Sequence, residues 1–595
     1  MNVTRLLARI AILGAFTSLS LAASVSSKPG ATELLQKLGD EFYLEQARFD
    51  PVTNATFTGD NQFDDQLNIS ISPAERTTHF AKLHQQQQQL KTIARSQLSD
   101  EDGLSYDALS ALLQLNVEAE QFPDHLLPVS HMDSMPVTLA NFGSGQAEQP
   151  LKSVADYDAY LKRLSRLPEW IDQSIINMQL GMKQGIVQSR YIVSATLEPL
   201  KGLTIALEKS PYYAPVKNMP ASFSASDQER LKRQYTEMVT QHIIPSTKKL
   251  AEFVEKQYLP ASRATDGYGT LPNGKQWYEH NVRMQTTTNL DPETIHTLGL
   301  NEVSRIHGEL AKLAPKLGYS GDPKQLLTWI RTNPKFLTFK SESEILNAYR
   351  AINEKVKTQL PRLFGRLPKA PLDIRAEPEL TRDVASDHYS LGSDDGSRPG
   401  VFWAVITDPA IYNSSTMGSL FLHEGQPGHH FQLSIQQEAS LPIFRKRAQI
   451  NAYAEGWGLY AETLGHEMGL YDDPVMYAGN LRLEMIRAVR LVVDTGLHAK
   501  GWTHDQAIAY MMDNAGLSQD QARNQIERYM AWPGQALGYK LGALKIQELR
   551  ARARQQVGEK FSLAAFHDEV LREGPLPLSV LDAYINRWIA RQKLH

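Results

Sequence analysis

The apolar residues of this 595-residue chain recur at helical rather than strand spacing, which limits the folds open to it more than any other feature. Tyr157, Tyr160, Leu161, Leu164 and Leu167 fall at i, i+3, i+4, i+7 and i+10, the stripe that one helix face presents to a core. Past Pro168 the pattern resumes at Ile171, Ile175, Met178 and Met182. Ser226 opens a Ser-Asp-Gln-Glu capping box, with Leu231, Tyr235, Met238 and His242 predicted on one face behind it. Asp291-Pro292-Glu293 is a further helix start, an acidic cap followed by proline at the first helical position. Gln85 to Gln89 reads as a solvated helix face.

Strand signals are few. The best runs from Gly400 to Thr407, between Arg398-Pro399 and Asp408-Pro409. It reads either as an ordinary buried strand or as an edge strand that an extended substrate backbone joins by strand addition. The expected fold is mostly α with a small β-sheet beside the functional stretch. No internal repeat is present. An N-terminal helical half (35–290) and a C-terminal catalytic half (291–595) are expected to form one continuous fold.

The first residues carry a different signal. Arg5 and Arg9 precede an apolar run from Ile10 to Ala23 that closes on small residues, the pattern of a secretory signal cleaved near Ala22 or Ala23. The run is shorter than the roughly 20 residues a spanning helix needs. Residues 1–23 are therefore read as a signal peptide and 24–34 as a linker. The chain has no cysteine. That excludes disulfides, thiolate nucleophiles, Cys-ligated zinc and Cys-held iron–sulfur clusters, and it leaves no acceptor for a lipid anchor. The mature protein is expected in the periplasm or secreted, without stable membrane association. A formal charge of -4 gives no electrostatic reason to expect nucleic acid.

The chemistry-bearing stretch is Leu422-His423-Glu424-Gly425-Gln426-Pro427-Gly428-His429-His430. A zinc hydrolase needs three protein ligands, an open position for water and a base beside it. Helical zinc sites place two His at i and i+4 with Glu after the first. His423-Glu424 begins that pattern, but Pro427 stands where the second His belongs. On an unbroken helix of about 100° per residue, His429 would lie about 240° from His423, and His430 about 10.5 Å further along the axis. Pro427 and the flanking glycines argue against an unbroken helix. A two-residue bulge through Gly425-Gln426 would restore the i+4 relation for His429, which is preferred over His430 as second ligand. Glu424 is the expected general base.

The segment from Glu527 to Gly542 offers donors for an oxyanion: Tyr539 first, Tyr529 second. Arg487, Arg490, Asp494 and His498 share one helical segment. Either they form an internal ion-pair network, with Arg490–Asp494 and Asp494–His498 at i,i+4, or an Arg binds a substrate carboxylate. Arg490, Arg528 and Arg487 are the candidates for substrate binding. His296 and His567 are read as structural.

Two resemblances extend these readings. AEGWGLYAETLG resembles the NEGFA-type segments of thermolysin-like aminopeptidases, which implies that Glu455 is the third zinc ligand; Glu462, seven residues on, would share its helix face, either supporting a ligand from behind or merely forming a salt bridge. The GY-x-LG end of the 527–542 segment is similar to the tyrosine-bearing helix of all-helical zincin carboxypeptidases. Taken together, HEGQPGHH, AEGWGLYAETLGHEMGLY, RAVRLVVDTGLHAKGW and RYMAWPGQALGYKLG resemble the bacterial "domain of unknown function 885" family from about residue 35 onward. The resemblance implies a large zincin-like helical fold with its site in a deep cleft between two helical halves. The expected function is a Zn2+-dependent peptidase acting on short peptides. A zinc amidase, and an envelope binding protein with a structural metal, are the alternatives.

Overall fold

The computed structural model describes residues 30–145, 147–379, 382, 386–393 and 398–594. The predicted signal segment 1–23 and most of the 24–34 linker lie outside them. The fold is mostly α with one small sheet.

The periodic stretches form helices with the expected buried faces. Tyr157, Tyr160 and Leu164 are buried on the Val154–Ser165 helix, and Ile171, Ile175 and Met178 on the Leu167–Gln184 helix that follows. Asp291 caps the Pro292–Leu317 helix by accepting from the Thr294 N–H at 2.9 Å. The Gln85 to Gln89 run lies on the Pro73–Thr92 helix, exposed or half-buried except for Gln86.

Two local expectations are corrected. The cap of the Ala225–Glu237 helix is Ser224, not Ser226, and it accepts from the Asp227 N–H. Further along, Val239 and Ile243 are buried in place of Met238 and His242. The cause is π-helical winding over Met238–Ile243. A wider turn keeps an i+4 series from Leu231 on one face, where a pure α-helix would drift off it.

Three large cores hold the chain together. One joins the Ala31–Phe49, Pro73–Thr92 and Asp100–Glu118 helices to the Glu342–Leu363 helix, the sheet and the Leu563–Arg572 and Leu578–Leu594 helices. A second lies among the helices between Val154 and Phe253. The third packs the Pro292–Leu317 helix along the Pro474–Lys500 helix, with the His504–Ala515 and Gln519–Ala531 helices against them.

The sheet comprises β1 (Leu372–Ala376), β2 (His388–Ser390) and β3 (Gly400–Ala404) in the order β1-β3-β2. β3 runs parallel to β1 and antiparallel to β2. The predicted strand therefore ends at Ala404 rather than Thr407, and it is central. Both of its edges are paired, so no substrate backbone can join it. Its near-continuous apolar run reflects burial on both faces.

One helix crossing positions the site. The Asn451–Thr463 and Leu537–Val557 helices meet at Gly456 and Gly542. A Cβ on Gly456 would stand 2.5 Å from the Gly542 Cα, and one on Gly542 would stand 1.9 Å from the Ala452 carbonyl oxygen. Only glycine allows this approach, and it sets the helix bearing Glu455 against the helix bearing Tyr539.

Candidate metal centre

His423 and Glu424 end the Met417–Glu424 helix, and His429 begins the His429–Glu438 helix. Between them the chain leaves helical geometry at Gly425, passes a cis Gln426–Pro427 peptide and turns back at Gly428. The predicted bulge within one helix is thus a break between two. The Trp457 indole N–H donates to the Pro427 carbonyl at 2.8 Å, and the Gln426 amide to Asn353 Oδ1 at 3.3 Å. The turn is pinned from two sides.

This geometry brings His423, His429 and Glu455 together, with one ligand atom from each lying within 4.8 Å of the others. Glu455 Oε2 stands 3.4 Å from Nε2 of His423 and 3.4 Å from Nε2 of His429. The corners of a tetrahedron with bonds of about 2.0–2.1 Å lie about 3.3–3.4 Å apart, so these separations suit three ligands of one zinc ion. Glu455 Oε2 is also buried without a hydrogen bond, an orphaned acceptor that a cation would satisfy. Burial works to raise the Glu455 carboxyl, but the two imidazoles outweigh it and hold it well below the usual range.

His430, the alternative ligand, is corrected by the same geometry. Successive helical residues point about 100° apart. With His429 turned to Glu455, the buried His430 faces the sheet, its Nδ1 3.1 Å from the Tyr389 hydroxyl. Burial lowers its pKa to about 4, so it is a neutral packing group.

Glu462 lies two turns beyond Glu455 and holds the other side of His423, its Oε1 2.9 Å from Nδ1. A carboxylate on Nδ1 fixes the ring and directs the Nε2 lone pair at the metal position. Glu462 also accepts from Ser419 Oγ, which in turn accepts from Asn480 Nδ2 at 3.0 Å. Arg487 Nη2 is 3.1 Å from Glu462 Oε1. Arg487 is thus an ion-pair partner in this support, which departs from its predicted substrate role. Burial lowers the His423 pKa, but Glu455 and Glu462 more than compensate and raise it to about 9.

Glu424 is buried and makes no hydrogen bond among the described residues. Burial raises its pKa above the ordinary carboxylate value, while His429 and His423 pull the other way. Asp387, at the start of β2, interacts electrostatically with Glu424 and is pushed up to about 7, chiefly by burial.

The Tyr539 ring stacks on His423 with centroids 6.3 Å apart, and its hydroxyl accepts from Arg528 Nη2 at 3.2 Å. Burial and Glu455 raise the Tyr539 pKa against the pull of Arg528 and Arg490, so the phenol keeps its proton. Tyr529, the second oxyanion candidate, is committed elsewhere: its hydroxyl accepts from Arg490 Nε at 2.8 Å and donates to Gln525 at 2.6 Å. The i,i+4 ion pairs expected along the Pro474–Lys500 helix do not form. Asp494 instead accepts from the Tyr278 hydroxyl and the Gly534 N–H, and His498 accepts from the Tyr268 N–H. His296 and His567 lie apart from the centre, bonded to Thr495 and to Tyr460 and Leu363.

A cavity of about 990 Å3 reaches Glu455. Its walls come from segments far apart in the chain, among them Phe57 and Glu148 on one side and Tyr389, Lys446 and Asn451 on the other. Sequence reasoning missed Ser419, although it lies four residues before His423 on the same helix face. It also missed Asp387, Gln525 and Gln535, which no local pattern marks.

A family model described as a bacterial protein of unknown function, DUF885, matches residues 53–585. The chain belongs to the DUF885 family. No curated protein matches this DUF885 chain. Among solved structures it is similar to a protein from Colwellia psychrerythraea, provisionally named a lipoprotein, at 28% identity and TM-score 0.86, over 94% of this chain and 100% of that one. It is also similar to a protein of unknown function from Shewanella oneidensis, again provisionally named a lipoprotein. That match has 19% identity and TM-score 0.70 over 93% and 99% of the two chains.

Proposed function

We propose that this DUF885 protein is an exported zinc-dependent peptidase that hydrolyses short peptides, with Glu424 as general base. The observation that carries the reading is the buried Glu455 Oε2, without a hydrogen bond and 3.4 Å from two imidazole Nε2 atoms, beside an unpartnered Glu424. Two His and a Glu make a ligand set preferred by zinc. The described residues offer three ligand atoms. A structural zinc site normally closes all four positions, so three ligands favour a catalytic site over a structural one.

When bound, the metal would supply Lewis acidity, polarising the scissile carbonyl and acidifying a water. The chain's own residues do the rest. Glu424, buried and raised in pKa, takes a proton from the attacking water and delivers it to the leaving amine. Tyr539 accepts from Arg528 and keeps its proton, which leaves its O–H to donate to the oxygen that becomes negative. Glu462 with Ser419 holds His423 in place, and a cavity of about 990 Å3 reaches Glu455.

Export rests on the basic, apolar and small-residue order of residues 1–23, and the lipoprotein names of the two neighbours agree with an envelope setting. The sequence holds no cysteine to carry a lipid, which favours an unanchored protein. No helix among the described residues is long and apolar enough to cross a membrane.

The test compares wild type with Glu424→Gln for bound metal and for cleavage of a mixed peptide library read by mass spectrometry. Both should bind one zinc and only the wild type should cleave. Two metal-loaded proteins that leave every peptide intact would overturn the peptidase reading.

A further inference from the structure

Around the metal centre two guanidiniums, Arg490 buried and Arg528 half-buried, stand out for what they lack. Arg490 is buried and sits with its guanidinium carbon 4.4 Å from the centroid of the Tyr539 ring. Nε donates to the Tyr529 hydroxyl and Nη2 to Gln525 Oε1 at 3.1 Å, both neutral acceptors. Its Nη1 is buried with no acceptor at all. Arg528 reaches Tyr539 from the other direction. Its Nη2 donates to the Tyr539 hydroxyl and to Gln535 Oε1 at 2.9 Å, and its buried Nε has no acceptor. Neither guanidinium makes an ion pair among the described residues, whereas Arg487, one turn before Arg490 on the same helix, is paired with Glu462.

Glu455 attracts Arg490 across the centre, yet a buried guanidinium N–H with no acceptor is costly, and a fold retains one where a ligand supplies the acceptor. The charge around the centre points the same way. Glu424, Glu455 and Glu462 equal Arg487, Arg490 and Arg528 in number, so a divalent ion leaves the centre with an excess of positive charge. A hydrogen-bond chain joins Arg528 to the wall of the cleft. Asn451 lines the cavity and accepts from Gln535 Nε2 at 3.1 Å, and Gln535 is the residue that Arg528 holds. A guanidinium with unused N–H groups suits a carboxylate, which it binds through two parallel hydrogen bonds.

We infer that Arg490 and Arg528, on either side of Tyr539, bind a carboxylate of the peptide substrate and set the class of peptide the enzyme takes. The inference rests on the peptidase reading. A carboxylate at the peptide terminus makes the enzyme a carboxypeptidase, and a side-chain carboxylate makes it selective for acidic residues. In either case the anion replaces the missing partner of Arg490 and brings the scissile bond to Glu424.

The test uses the full-length, zinc-loaded Glu424→Gln protein, so binding is read without turnover. Titration calorimetry compares tetra-alanine with its C-terminal amide, and amidated tetrapeptides carrying Glu with those carrying Gln at each position. A charge-assisted pair predicts that a carboxylate form binds about tenfold or more tightly than its neutral counterpart. Preference for the free terminus assigns the pocket to the C-terminal carboxylate, and preference for Glu assigns it to side chains. Arg490→Gln and Arg528→Gln should each bring the ratio towards one, with Arg490→Lys recovering part of it. The Arg528 variant carries the test should Arg490→Gln fail to fold. Equal binding of charged and neutral forms, no binding of either, or an unchanged ratio in a folded variant overturns the inference. Failure of the peptidase reading is separate, because it is read from the wild type leaving the peptide library uncut.

Discussion

Two sets of charges, each with buried members, lie along the Pro474–Lys500 helix and its neighbours, and they differ in whether the protein completes them. Glu484, Lys540, Glu302 and Arg305 form a closed cluster. Lys540 Nζ is 2.7 Å from Glu484 and 2.8 Å from Glu302, while Arg305 reaches both carboxylates. Less than two turns along, Arg490 makes no ion pair among the described residues and leaves Nη1 without an acceptor, while across the centre Glu424 has no hydrogen bond among them and Glu455 has one orphaned oxygen. Charges completed within the fold hold helices together. Charges left incomplete around the candidate metal centre are free to act on a ligand.

The largest contrast lies with Glu424. Glu424→Gln should lower the rate of peptide cleavage by about 10²–10⁴. Because the native carboxylate is buried with no hydrogen bond to lose among the described residues, the melting temperature should stay unchanged or rise. A calorimetric scan beside a rate assay reads both, and a variant that melts well below wild type would move Glu424 into the structural set.

Lys540→Met should do the reverse. It leaves Glu302 and Glu484 facing each other with only Arg305 between them, and removing one partner of a buried pair costs about 3–5 kcal/mol. Urea unfolding of the two proteins measures the loss. A difference under about 1 kcal/mol would mean that water already reaches the cluster.

Glu462 belongs to both sets, since it is fully paired yet serves the centre. Glu462→Gln keeps the shape but loses the charge behind His423. Metal affinity should fall about 10–100-fold, as measured by competition with a chelator. Unchanged affinity would make the Glu462–Arg487 pair purely structural.

The difference between the sets also marks what the sequence makes legible. His423-Glu424 and the Glu455 segment can be read from residue types, because a metal site needs a restricted chemistry. Helical stripes such as Tyr157 to Leu164 can be read because burial imposes the period. The preference for His429 over His430 could be read, but not the form of the turn, since how the chain crosses Gly425 to Gly428 depends on Trp457 and Asn353 from distant helices. Charge partners were misread for the same reason. Along one helix Arg490–Asp494 satisfies the i,i+4 rule, yet Asp494 is claimed by Tyr278 and Gly534, and Arg487 by Glu462. Tertiary partners override local spacing. β3 was open to misreading as an edge because strand order is a property of the whole sheet, to which β1 and β2 contribute from outside the apolar run.

The smallest expected effect sharpens the comparison most. Arg490→Met removes hydrogen bonds to Tyr529 and Gln525, each worth about 1 kcal/mol, and removes at the same time the cost of desolvating the guanidinium and its unfilled Nη1. The two nearly cancel. Stability should change by about 1 kcal/mol or less, with methionine filling much of the space against the Tyr539 ring. Set beside Lys540→Met in the same urea series, a cation of equal burial should matter several-fold less to folding. A loss of about 3 kcal/mol or more in Arg490→Met would mean that the fold completes this charge after all. Near-neutrality would mean that folding gains little from this arginine, as expected of a group whose free N–H is kept for a ligand.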